Sequence, residues 1–344
     1  MIKIVKDIVE IISDYRIESG MQIDNDHILE WVSQFNEDDQ KFLLSELLHI
    51  LPYSYLSKKY TIKTLTSSFD YLKNKYKHDS VADFLSHANF LSCQAPEKSQ
   101  TILLKFLNEF SQSQYGLNLE DCGNNSVKYW IYFDDVLASG KTFRDDIIEK
   151  IESCGVEEFK KDKIKIIGIF FFLHSWGRSN SEYILKKFNE HVAGSLEFHR
   201  VYVIENDPRI SRYNQKPKFN HVFPAKDDTK ERWDQYLESL EADRQVEYAY
   251  RPNGYPRKED YYSSPESRQR YESIILDKGL DILDRAAQLS SPIRPLGLVP
   301  PSYRTFGTGS HAFTWRNISN TCPIVFWWEN HGWYPLFSVE HRGI

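Results

Sequence analysis

Residues 129 to 147 read YWIYFDDVLASGKTFRDDI. The opening five residues are all apolar or aromatic, the pattern of a strand covered on both faces in a parallel sheet. The strand ends at Asp134 and Asp135, a short turn containing Gly140 follows, and a helix is expected from Thr142 or Phe143. Both carboxylates therefore fall at the carboxyl edge of a parallel strand, beside a helix N-terminus, where α/β sheets hold ligands. Downstream, TFRDDIIEKIESCG (142 to 155) has helical spacing and KIKIIGIFFFLH (163 to 174) is a second continuous strand, which completes a βαβ unit. SEYILKKFNEHV (181 to 192) and LEFHRVYVIE (196 to 205) extend the alternation by another helix and strand.

Upstream, HILEWVSQF (27 to 35), DDQKFLLSELLHIL (38 to 51) and TILLKFLNEFSQ (101 to 112) place apolar groups at helical intervals, with Asp38 able to cap the second. Beyond residue 205 the texture changes, because 12 of the 14 prolines and 5 of the 8 tryptophans lie there. Two charged helical stretches (227 to 246 and 264 to 289) lead into a loop-rich aromatic tail. The expected organisation is a mostly helical region over 1–118, an α/β core over 119–225 and a helical, loop-rich extension over 226–344.

The chain has 344 residues with 43 Lys plus Arg against 49 Asp plus Glu, a formal charge of −6, which excludes a broadly basic nucleic-acid-coating protein. Without an 18-residue apolar run the reading is no membrane span and a cytoplasmic protein. Cys93, Cys122, Cys154 and Cys322 lack Cys-x-x-Cys spacing, so buried thiols are expected in place of disulfides or a zinc knuckle. Aromatics, at 15% of residues, are in excess and must fill core layers or build contact surfaces.

The chemistry concentrates after the first strand. Backbone N–H groups from Ala138 to Thr142, the Ser139 and Thr142 hydroxyls and the positive helix end make a phosphate cradle. Gly140 permits the tight turn. Asp134 and Asp135 suit sugar hydroxyls or Mg²⁺, a hard ion that takes oxygen ligands. A P-loop is disfavoured, since SGKT lacks the preceding Gly-x-x-x-x spacing.

This constellation resembles the phosphoribosyl-diphosphate signature of type I phosphoribosyltransferases: four apolar residues, two acids, two apolar residues, two small residues, Gly, any residue, Thr. The resemblance implies an α/β fold with a parallel-sheet, type I phosphoribosyltransferase-like core. It further implies that Asp134 and Asp135 bind the ribose 2′- and 3′-hydroxyls while Ala138, Ser139, Gly140, Lys141 and Thr142 hold the 5′-phosphate. Mg²⁺ would be the cofactor, and glycosyl transfer or nucleotide cleavage at the sugar C1 the chemistry. Lys98, Ser99 and Gln100, before a helix start, are candidates for a second anion loop. His174, Ser175, Trp176, Gly177 and Arg178 follow the next strand, and Glu205, Asn206 and Asp207 the one after, so each group raises the same question. No residue stands out as general base, although Asp135 is a weak candidate.

Most of the chain also resembles bacterial antiphage proteins that join a phosphoribosyltransferase-like domain to a C-terminal extension, some beside a retron reverse transcriptase. The marks are KSQ near residue 99, DDVLASGKT, LVPPSYRTFGTGSHAFTWRN and VFWWENHGWYPLF. The resemblance implies a toxic effector that uses phosphoribosyl diphosphate or a nucleotide. Its implied partners are a reverse transcriptase with RNA-linked DNA, a winged-helix or other defence protein, and a second copy of the chain. Arg304, in the Gly-rich run from Tyr303 to Ser310, is a phosphate candidate, and Trp315, Arg316, Trp327, Trp328, His331 and Trp333 suit either an acceptor surface or a core. Arg294 adds a positive charge to the same region. The competing readings are a catalytically silent nucleotide-sensing or assembly subunit and, less well supported by the long extensions, nucleobase salvage.

Overall fold

A computed structural model describes residues 1–96, 98–240, 246–286, 293–298, 305–329 and 332–339. The chain divides into two compact units, one of residues 1–58 with 204–344 and one of residues 59–203. The sequence division at 118 and 225 thus stands beside a different spatial grouping, in which the first 58 residues associate with the C-terminal part.

The first unit begins with α1 (Ile2–Ile12), α2 (Asn25–Ser33), α3 (Glu37–Ile50) and the short β1 (Tyr55–Leu56). The cap of α3 is Asn36, not Asp38, which lies in the first turn where its charge still favours the helix dipole.

The second unit runs α4 (Lys58–Tyr76), α5 (Val81–Ser86), β2 (Ala88–Phe90), α6 (Ser99–Tyr115), β3 (Tyr129–Leu137) and α7 (Lys141–Cys154). It continues with α8 (Val156–Lys161), β4 (Lys165–His174), α9 (Ser175–Phe188), α10 (Glu190–Ser195) and β5 (Leu196–Ile204). The sheet order is β2-β3-β4-β5, with β3 parallel to both β2 and β4. Trp130, Tyr132, Ile166 and Phe170 pack on one face with Phe143, Ile147 and Ile151 of α7, Phe159 of α8 and Leu185 of α9. Ile131, Phe133, Ile167 and Phe171 are buried too, and α6 packs against β3. Continuous apolar strands exist here because both faces are covered.

The first unit resumes with α11 (Glu231–Ser239), α12 (Pro265–Arg285), β6 (Ile293–Arg294), β7 (Gly297–Leu298) and β8 (Phe313–Thr314), which pairs in parallel with β1. The aromatic excess is largely core here: Trp31, Trp233, Trp315, Trp327, Trp328 and Trp333 are all buried. Their polar edges are used as well, with the indole N–H groups of Trp31 and Trp333 donating to the Val325 carbonyl at 2.9 and 3.0 Å. A buried ion network supports this core. Arg268, 1% exposed, pairs with Glu259 and Glu272, and Arg251 pairs with Glu272. Of the thiols only Cys322 is buried; Cys93 is exposed and Cys122 and Cys154 are half-buried.

Candidate functional site

The acid pair emerges at the carboxyl end of β3, and strand geometry sends its members to opposite faces. Asp134 lines a pocket of about 190 Å³ with Gln94, Tyr132, Ala138, Ser139, Thr142 and Phe143 among its walls. Asp135 turns toward α6, where the Ser99 hydroxyl donates to its Oδ2 at 2.7 Å. The pair remains close, since the Asp135 backbone N–H donates to Asp134 Oδ1 at 2.9 Å. Dense protein around Asp134, and then the neighbouring charge of Asp135, push its pKa well above the usual carboxylate range.

A polar chain that sequence reading missed supports Asp134. Gln94 Nε2 donates to Asp134 Oδ2 at 3.3 Å and to the Tyr132 hydroxyl at 3.1 Å, and that hydroxyl donates to Asp146 Oδ2 at 2.7 Å. Two signals were available. Tyr132 precedes Asp134 by two residues and so shares its face of the strand, and Gln94 follows β2 at the same edge of the sheet. The Thr101 hydroxyl fixes the Gln94 loop by donating to the carbonyls of Gln94 and Ala95 at 3.1 and 3.0 Å.

The turn from Ala138 to Thr142 leads directly into α7, whose cap is Gly140 at φ +73° and whose N-terminus has no side-chain cap. The Lys141 N–H donates to Ser139 Oγ at 3.2 Å, which tightens the turn, while the Lys141 ammonium pairs with Asp145 one turn along the helix. Gly140 is needed for packing as well as for its backbone angle. A Cβ there would lie 2.0 Å from Ser181 Oγ and 2.7 Å from the Gly177 carbonyl, both on α9. Gly177 answers from the other side, where a Cβ would lie 1.9 Å from the Ala138 carbonyl oxygen. The cradle is thus seated on α9 by two facing glycines.

The remaining candidates divide. Lys98 caps α6 with an exposed side chain, and Gln100 is buried, its Oε1 accepting from the Cys93 N–H at 3.0 Å. Residues 175 to 178 form the first turn of α9, and Arg178 is paired with Glu182. His174 is fully buried without a hydrogen-bond partner for either ring nitrogen among the described residues, and burial lowers its pKa to about 3. Glu205, Asn206 and Asp207 belong to the other unit, where Asp207 holds Arg209. Arg304, Tyr303 and His331 lie outside the described residues. The rest of the Gly-rich run is not an open phosphate loop: Thr305, Phe306 and Ser310 are buried, and a Cβ on Gly309 would meet the Val222 carbonyl at 2.1 Å. Arg294 is likewise buried and donates to the Ile293 carbonyl at 2.7 Å, while Arg316 is half-buried.

Among the described residues no helix is long and apolar enough to cross a membrane. A family model, PRTase-CE, matches residues 28–339. Comparison with curated proteins and with solved structures finds no match.

Proposed function

Because the chain belongs to the PRTase-CE family, whose domain is phosphoribosyltransferase-like, we propose that it binds phosphoribosyl diphosphate or a related nucleotide at the carboxyl end of β3. The observation that carries this reading is one pocket holding Asp134 beside the uncapped N-terminus of α7, with Asp135 and Ser99 adjoining. The carboxylates accept the sugar hydroxyls, and the N–H groups and hydroxyls of residues 138–142 take the 5′-phosphate. Ser99, already bonded to Asp135, orients that carboxylate, and Lys98 beside it supplies positive charge for diphosphate.

Mg²⁺ fits the donor set: two adjacent hard carboxylates, with burial and then the charge of Asp135 raising the Asp134 pKa, would hold a divalent ion together with substrate oxygens. When bound, that ion neutralises charge on the leaving diphosphate. In the transfer, an acceptor atom bonds to the sugar C1 as the C1–O bond to diphosphate breaks, and the acceptor's proton passes to a carboxylate of the acid pair or to solvent.

The biological role proposed is that of a toxic effector in retron-type antiphage defence, supported by the KSQ, DDVLASGKT and C-terminal resemblances. A reverse transcriptase with RNA-linked DNA, a winged-helix partner and self-association are expected on the same basis. One observation favours the silent sensing or assembly reading. The 190 Å³ pocket is below the roughly 300–1,000 Å³ common for ligand sites, enough for a phosphate and part of a sugar but not an acceptor as well. Partner-free protein that is inert yet still binds phosphoribosyl diphosphate would favour the silent subunit, and expression of D134N/D135N in cells tests the effector reading. An enzyme loses toxicity while the double variant remains folded and abundant; toxicity retained by the folded variant overturns the sugar-binding assignment.

A further inference from the structure

We propose that His78, Asp83 and His87 form a transition-metal site, suited to Zn²⁺, that ties α5 and the turn before it to the amino end of the sheet. One donor atom from each residue lies within 4.8 Å of the other two. Asp83 lies on α5 and His87 is its C-cap, four residues on, so the two share a helix face; His78 closes on them from the turn after α4. His78 Nδ1 is 2.8 Å from Asp83 Oδ2 and His87 Nδ1 is 3.8 Å from Asp83 Oδ1, so both Nδ1 atoms converge on one carboxylate.

The outer contacts match what a bound imidazole requires. His78 Nε2 is 2.9 Å from the Tyr129 hydroxyl, whose oxygen fixes the ring by accepting a hydrogen bond from Nε2–H when Nδ1 turns its lone pair to a metal. His87 is held by its backbone, whose carbonyl accepts from the N–H groups of Lys128 and Tyr129 at 2.9 and 3.2 Å. His87 Nδ1 rests 3.0 Å from the Asp83 carbonyl and 3.2 Å from Ser86 Oγ, and His78 Nδ1 rests on the carboxylate. Binding replaces those contacts and breaks no covalent bond. The imidazoles are 8% and 17% exposed and the carboxylate 39%, so the approach is on the Asp83 side, where water can complete a tetrahedron. Two imidazoles and one carboxylate favour Zn²⁺ over Mg²⁺.

The site is separate from the acid pair. Tyr129 and Asp134 are five residues apart on β3, roughly 16 Å at about 3.3 Å per residue, so the ion would be structural for this sheet edge.

Full-length, metal-stripped protein carrying D134N/D135N, in which the acid pair offers no charged ligand, is titrated with Zn²⁺ against a chromophoric chelator and separately with Co²⁺. Expected are a single ion per chain, visible Co²⁺ absorption of tetrahedral type, binding weakened by more than about 100-fold in D83N or H87Q, and a loss of about 10- to 100-fold in Y129F. Circular dichroism without metal confirms that each variant is folded, and either ligand variant suffices if the other is not. Absence of stoichiometric binding by the folded protein, or equal affinity in folded D83N or H87Q, overturns the site.

Discussion

Gly177→Ala tests whether α9 sets the position of the phosphate cradle. The added Cβ lies 1.9 Å from the Ala138 carbonyl oxygen, 2.8 Å from its carbon and 3.0 Å from Leu137 Cδ2. An ordinary carbon–oxygen contact is about 3.3 Å, so loop and helix must part by roughly 1.4 Å. The loop cannot settle sideways, because Gly140 is already pressed against Ser181 and the Gly177 carbonyl. Overpacking of this kind costs about 1–3 kcal/mol, and misplacing binding groups by about 1 Å costs on the order of 10²-fold in function. Denaturant unfolding with calorimetric titration of phosphoribosyl diphosphate should therefore show both losses. Gly194→Ala is the control: it lies in α10 with nothing within 4 Å of its Cβ position, and should be neutral or more stable by up to about 1 kcal/mol. If G177A keeps natural stability and affinity, α9 does not set the position of the cradle.

Asp134→Asn should stabilise the protein at neutral pH. The raised native pKa means that the folded state binds the proton more tightly than the unfolded state, so the natural chain loses stability as pH rises from about 4 through the folded value. The advantage of D134N in thermal unfolding should grow across that window and then level off; an advantage independent of pH would refute it. Glu197→Gln should act in the opposite direction. Burial would raise the Glu197 pKa, but hydrogen bonds from His199, Lys75 and Tyr76 prevail and hold it at about 2. Its contribution, about 1–2 kcal/mol after allowance for solvent screening, is present above about pH 4.5 and lost as pH falls toward 2, as parallel unfolding curves of E197Q would show. Arg268→Met leaves Glu259 and Glu272 buried without their shared partner and should cost about 3–5 kcal/mol in denaturant unfolding.

The central sheet was legible because its strands carry unbroken apolar runs and one of them ends in two acids and a glycine turn. The strand expected from Tyr129 to the acid pair and those expected over 163–174 and 196–205 appear as 129–137, 165–174 and 196–204. Less legible was what long-range packing decides. The reason Gly140 and Gly177 must lack a Cβ is visible only when α9 crosses the loop, nearly forty residues away in sequence. Gln94 and Asp146 joined the site through Tyr132, a residue that reads as core from its strand alone. In the tail, sequence left a core and a recognition surface both open for the tryptophans, and burial of Trp327, Trp328, Arg294 and Ser310 favours the core. Composition does not distinguish an aromatic core from an aromatic binding face, since both bury the same ring surface.

The proposed phosphoribosyl-diphosphate site lies at the carboxyl end of β3. Calorimetric titration of the purified chain with phosphoribosyl diphosphate and Mg²⁺, with D134N/D135N in parallel and products identified by mass spectrometry, tests it most directly. Saturable binding by the natural chain is expected, at least about 100-fold weaker in the folded double variant, since each lost charge-assisted bond is worth roughly 1.5–3 kcal/mol. Absence of binding by the natural chain, or equal binding by both proteins, would contradict it.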